Sequence, residues 1–189
     1  MTVDVQTPDG LKSGSSVYEV TSYKAVRLTS EEKPGGGGLR GEAVVVDLPG
    51  GPLFVLLKAD KAGNSLGANA TLALLPQTRR GDIDGYVGAV KKLGAWFADY
   101  RAELPRDTWP TMVRFRDIGD PVSVEKVDPE AIGIERIIVE TTDDPVTIGI
   151  ENRLRWLPRL HGNYLNGAST ARNALFELAA GDFSTEIRH

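Results

Sequence analysis

The stretch that decides the fold is Gly41 to Lys58, Gly-Glu-Ala-Val-Val-Val-Asp-Leu-Pro-Gly-Gly-Pro-Leu-Phe-Val-Leu-Leu-Lys. Two apolar runs, Ala43–Leu48 and Leu53–Leu57, flank Pro49-Gly50-Gly51-Pro52. Proline presets a turn φ and glycine tolerates positive φ, so the middle four residues reverse the chain. The flanks are β-branched and aliphatic and too short for independent helices, which predicts a hairpin of two strands. Both runs are nearly continuous in apolar residues, so both faces of the sheet that holds them are expected to be covered.

On the N-terminal side, Thr2–Thr7 alternates Val3 and Val5 with polar residues, the period of a half-buried strand. Pro8-Asp9-Gly10 is a turn signal, and a second extended run follows over Ser15–Leu28, with a bend or bulge expected near Ser22. Ser30–Arg40 contains Gly35-Gly36-Gly37-Gly38 and reads as a mobile loop.

On the C-terminal side, a short apolar run, Ala70–Leu75, stops at Pro76. Asp82 or Asp84 then caps a helix in which Ile83, Val87, Val90, Leu93, Gly94, Phe97 and Tyr100 share one face, ended by Pro105. Strands are expected over Trp109–Arg116, Val122–Val127 and Ile134–Thr141, separated by Asp-Gly and Asp-Pro turns. From Val146 the pattern turns helical, through Ile148, Ile150, Leu154 and Leu157, and Ser169 can cap a last short helix through Ala180. The expected fold is therefore α+β: a largely antiparallel, sandwich-like sheet packed by one long helix, with short C-terminal helices. A single domain over residues 1–189 is expected, with 146–189 a helical region packed on the sheet.

The chain has 189 residues, 41% hydrophobic and 25% charged, with a net charge of −4, so no polyanion partner is expected. It contains no cysteine, which excludes disulfides, thiolate metal sites and cysteine nucleophiles. No run is long enough to span a bilayer, and Met1-Thr2-Val3-Asp4-Val5 has no signal-peptide character.

Chemistry has few carriers. There are two histidines, His161 and the terminal His189, so general-base catalysis would rest on His161. Neither Ser13-Gly14-Ser15-Ser16 nor Gly167-Ala168-Ser169-Thr170 makes a Gly-x-Ser-x-Gly elbow. Asp117 and Asp120, with Asp143 and Asp144, are the oxygen ligands a hard cation would use if their turns converged, with Glu140 and Glu151 as further donors. Aspartate before glycine or proline also builds turns by accepting from its own backbone, and that reading is the better account of these four. The tetraglycine lacks the Lys-Ser/Thr ending of a phosphate loop. No cofactor is expected.

Arg153-Leu154-Arg155-Trp156-Leu157-Pro158-Arg159 is the one basic, aromatic-bearing cluster. Arginine and tryptophan dominate interface hot spots, so Arg153, Arg155, Trp156 and Arg159 are the candidate binding residues. The competing reading is an amphipathic helix whose Leu154 and Leu157 pack while its arginines pair with neighbouring acids.

Several phrases carry a resemblance: Thr2-Val3-Asp4-Val5-Gln6-Thr7-Pro8-Asp9-Gly10 leading to Ser13-Gly14-Ser15-Ser16-Val17, Val46-Asp47-Leu48-Pro49-Gly50-Gly51, Phe115-Arg116-Asp117 with Asp120-Pro121, and Thr142-Asp143-Asp144-Pro145-Val146-Thr147-Ile148-Gly149-Ile150-Glu151. Together they resemble a group of uncharacterised proteobacterial envelope or lipoprotein-like proteins, often carrying an N-terminal signal or single membrane anchor. The resemblance implies a periplasmic or membrane-anchored address and a protein partner in the envelope, and it brings no catalytic residues. Without a leader the chain would be cytoplasmic if full length. The expected function is a non-enzymatic envelope interaction or ligand-binding domain. The alternative is a carboxylate-dependent metal-binding or hydrolytic enzyme using Asp117, Asp120, Asp143 and Asp144 with His161.

Overall fold

The computed structural model describes residues 1–25, 35–59, 65–168 and 177–187. Val26 and Leu28 of the second extended run, residues 30–34 of the predicted loop, most of the helix predicted from Ser169, and His189 lie outside the described residues.

The hairpin forms as its sequence dictates. Strands β5 (Val44–Val46) and β6 (Leu53–Ala59) pair antiparallel, with Val44 opposite Val55 and Val46 opposite Leu53. Gly51 supplies the turn with φ 104°, which a side chain would strain. β8 (Pro110–Phe115) lies beside β6, and β9 (Val124–Lys126) closes the far edge, giving the order β5-β6-β8-β9.

A second antiparallel sheet starts with β1 (Thr2–Thr7), which turns at Pro8-Asp9 into β2 (Gly10–Ser15). β1 also pairs with β10 (Ile134–Glu140), and β10 with the short β7 (Arg101–Glu103), so the order is β2-β1-β10-β7. The register of β1 on β10 shifts between Asp4 and Val5. The second extended run breaks at Ser16–Tyr18, where the chain leaves β2, and Glu19–Lys24 then pairs through Ser22 without the expected bulge.

Strand alternation then sorts the hairpin's side chains into two cores. Val44, Val46, Leu53, Val55 and Met112 point one way and meet Val3, Val5, Ile134 and Ile137 of the other sheet. Phe54, Leu56 and Val113 point the opposite way and are covered by Ile150, Leu154, Leu157 and Phe183 of the C-terminal region. Each fully buried Val, Leu or Phe contributes about 1.5–3 kcal/mol, so the two cores rest on one strand pair. The expectation of two covered faces holds. At the seam of the two sheets, Gly14 of β2 lies so close to the Val45 carbonyl that a Cβ would overlap it.

The four glycines are not a loop. β4 (Gly35–Arg40) pairs along its whole length with β3 (Glu19–Lys24) in a separate two-stranded ribbon. Glycine is a poor strand former, but bare backbone here makes room for two rings. A Cβ on Gly36 would lie 3.0 Å from the Tyr23 hydroxyl, and one on Gly37 would lie 3.0 Å from that of Tyr86.

Two α-helices pack beside the sheets. α1 (Leu66–Leu74) begins at Ser65, whose hydroxyl accepts from the Ala68 amide at 3.2 Å. α2 (Ile83–Leu93) begins at Asp82, which accepts from the Gly85 amide at 3.0 Å, and carries Lys91 and Lys92 in its last turn, where the helix dipole favours cations. It stops at Gly94, well short of the predicted end at Pro105. The C-terminal region holds 3-10 turns at Ile150–Asn152, Leu157–Leu160 and Ala180–Asp182, and no α-helix among its described residues. The class is α+β with antiparallel sheets, and among the described residues the α-helical share is divided between two modest helices. No helix of the described residues is long and apolar enough to cross a membrane.

Candidate functional site

The arginine cluster is placed by its own hydrophobic neighbours. Gly149, at φ 113°, turns the chain into the Ile150–Asn152 segment, and Leu154 and Leu157 then drop fully into the second core. Trp156 goes in with them. Its indole N–H donates to the Ile118 carbonyl at 2.9 Å, and its ring meets Phe115 at 5.5 Å and Phe183 at 6.0 Å between centroids, both in edge-on geometry. With the odd-numbered arginines left outside, the tryptophan becomes a fixed floor between them.

Arg153, Arg155, Trp156 and Arg159 line one shallow depression with Ile118 and Gly119, enclosing about 340 Å3. All four residues singled out from the sequence therefore lie together. Arg153 is committed: its two terminal nitrogens donate to the two carboxylate oxygens of Asp47 at 2.6 and 2.8 Å. That fork pushes the Arg153 pKa up and holds the Asp47 carboxyl below its usual range. Arg155 and Arg159 are exposed and make no side-chain hydrogen bond or ion pair among the described residues. The segment is 3-10 turns and not the expected amphipathic helix, yet Leu154 and Leu157 pack and Arg153 is paired as that reading requires, while Arg155 and Arg159 find no acid among the described residues.

The opposite wall is shaped by the aspartates that were candidate metal ligands. Asp117 accepts from the Gly119 amide at 2.8 Å, and Asp120 accepts from the Val122 amide at 3.0 Å to cap a 3-10 turn. Asp144 accepts from the Thr142 hydroxyl at 2.9 Å on a different turn, with Asp143 exposed beside it. Glu140 is paired with Arg101 at 2.9 Å. His161 sits in the exposed turn after Leu157–Leu160. Among the described residues no group of three or more acids and histidines is arranged to hold a metal. These turns do not converge.

Two features escaped the sequence reading. Glu42 is 2% exposed, although it carries no cationic partner among the described residues. One oxygen accepts from the Ile150 amide at 2.8 Å and the other from the Ser184 hydroxyl at 3.1 Å, so it ties the hairpin to the C-terminal region. Burial pushes its pKa up, against the opposing pull of the Ile150 and Gly149 amides and Ser184. An acid heading an apolar run was the available signal. The second feature is a cavity of about 270 Å3 between α1, α2, β10 and the chain entering β3. Its walls come from five separated segments, so no local pattern announces it. Tyr18 lines it, and the Tyr18 hydroxyl is buried with no hydrogen-bond partner among the described residues. Burial raises the phenol pKa well above its ordinary value.

No protein family, curated protein or solved structure matches the chain.

Proposed function

We propose that the chain is a non-enzymatic binding domain that takes an acidic segment of a protein partner in the depression walled by Arg153, Arg155 and Arg159. The observation that carries this reading is the pair of uncommitted guanidinium groups, Arg155 and Arg159, on either side of a rigid indole. Guanidinium forks bind carboxylates in bidentate fashion and desolvate more readily than ammonium groups. The apolar floor of Trp156 and Ile118 adds area where a partner's aliphatic or aromatic side chain can seat. Arg153, braced by Asp47, holds the rim in place at no conformational cost to the bound state. An address at the bacterial cell envelope rests on the sequence resemblance alone and is part of the proposal.

The test is a fluorescence-anisotropy titration with a labelled acidic peptide carrying one central phenylalanine. Charge reversal, Arg155→Glu with Arg159→Glu, weakens binding by about tenfold or more, since like charges then face each other. Inorganic phosphate at equal ionic strength competes no better than chloride. The reading fails if the peptide does not bind, if the reversed variant binds it equally, or if phosphate alone displaces it.

A further inference from the structure

We infer that the cavity between the two helices and β10 is a second, separate site, and that it takes the alkyl chain of a small amphiphile. Its wall is aliphatic: Val17 and Val20 from the β3 side, Leu74 from α1, Val90 and Leu93 from α2, and Val139 from β10. Five of these six are only half-buried, Val139 being the exception. Such side chains regain contact only when an apolar group fills the space between them. The volume of about 270 Å3 lies just below the roughly 300–1,000 Å3 of pockets that hold drug-sized ligands, which suits one short chain.

The polar part of the wall is mostly committed. Glu140 is paired with Arg101 and Glu19 with Arg40, the Thr141 hydroxyl donates to the Ala98 carbonyl at 2.9 Å, and the Thr142 hydroxyl donates to Asp144 at 2.9 Å. The donors left to a head group are the Met1 ammonium, which gives one N–H to the Ser16 carbonyl at 2.7 Å, and the Tyr18 hydroxyl.

A second observation points to a lipidic source. Trp96 is 86% exposed and Phe97 75% exposed, and the two rings touch edge-on at 5.8 Å between centroids. They follow Gly94, itself part of the cavity wall, by two and three residues, which bounds their separation to about 11 Å. Trp and Phe are the side chains that settle at a water–lipid boundary, and Lys91 and Lys92 flank them in sequence with long, exposed stems.

The experiment is a 15N-edited NMR titration of the whole chain with octanol, and separately with ethanol. Saturable shifts with octanol, centred on Val20, Ala70, Val90 and Val139, with ethanol at least about tenfold weaker, are the expected result. Val90→Trp and, independently, Ala70→Phe fill the cavity and abolish those shifts while far-UV circular dichroism stays unchanged. Non-saturable shifts, ethanol binding as tightly as octanol, or undiminished binding in whichever filled variant folds would overturn the assignment.

Discussion

The Glu42 carboxylate accepts the Ile150 amide at 2.8 Å inside the protein, fastening the first residues of the central hairpin to a segment more than a hundred positions later. Replacing Glu42 with alanine leaves that amide and the Ser184 hydroxyl without an acceptor, at a cost of about 1–3 kcal/mol for each. Glutamine keeps both bonds, its oxygen accepting from Ile150 and its amide donating to Ser184 Oγ. The glutamine variant and the parent protein separate as pH changes. Burial raises the folded-state pKa, so protonation favours the fold: this contribution is complete below the ordinary value near 4.5 and is lost as pH rises through the higher folded value. Chemical denaturation should therefore show Glu42→Gln gaining on the parent protein between about pH 4 and pH 7. A constant difference across that window would count against a buried, proton-linked carboxyl.

Asp4 provides the opposite sign. The Ser13 hydroxyl donates to one oxygen at 2.6 Å and Arg136 Nε to the other at 2.8 Å, and these bonds, Ser13 first, hold its pKa below the ordinary 3.8. A depressed carboxyl stabilises the fold above its unfolded-state value and loses that effect as pH falls through the folded value. Asp4→Asn should lower the melting temperature at neutral pH and converge with the parent protein near about pH 2. Ser13→Ala removes one hydrogen bond to a charged group, a loss of about 1.5–3 kcal/mol at neutral pH.

Gly14 and Gly88 should respond to alanine in opposite directions. At Gly14 the new Cβ collides with the Val45 backbone, which belongs to a strand buried on both sides and has nowhere to move, so a loss of about 1–3 kcal/mol is expected. At Gly88, exposed on α2 with no atom within 4 Å of the new carbon, alanine should add about 0.5–1 kcal/mol through its helix propensity. Thermal melts of the two single variants settle both signs.

Leu154→Ala should cost about 2–5 kcal/mol, because the side chain is wholly buried between the sheet and the C-terminal turns. Trp156 stands two residues away on the same wall, so its near-ultraviolet signal should weaken even where the far-ultraviolet spectrum is retained. Trp96→Ala, by contrast, should shift stability by less than about 0.5 kcal/mol, since that ring is exposed. An equal loss in the two variants would mean that the tryptophan at 96 is packed after all.

Where local pattern and tertiary packing agree, the residues were readable. Thr2–Thr7 emerges with its predicted bounds, and β8 and β10 fall within a residue or two of theirs, because β-branched runs between turn residues leave a chain few options. α1 was missed because it buries Gly67, Asn69 and Thr71 beside Leu66 and so shows little apolar contrast. Asn69 is held by polar partners, donating to the Thr108 carbonyl at 3.0 Å and accepting from Arg80 at 3.0 Å, and the Ser65 cap was its one local sign. The helix after Asp82 was drawn too long for the converse reason: Phe97 and Tyr100 keep the helical spacing, but spacing does not tell a buried ring from one in water. The glycine strand was invisible because what its bare backbone makes room for, the rings of Tyr23 and Tyr86, lies outside its own segment. At the arginine depression the sequence named four residues that lie together, yet could not say that Arg153 is taken by Asp47, a residue 106 positions away, while Arg155 and Arg159 have no such partner among the described residues.

Because β5 and β6 have no wet face, the hairpin admits no slippage. Sliding one strand by a single residue would exchange the valines of one interior for the phenylalanine and leucine of the other, mismatching both at once. Most sheets guard their alignment from one side only. Here it is checked twice, so the strand pair is a ruler against which the N-terminal strands and the C-terminal turns are both set.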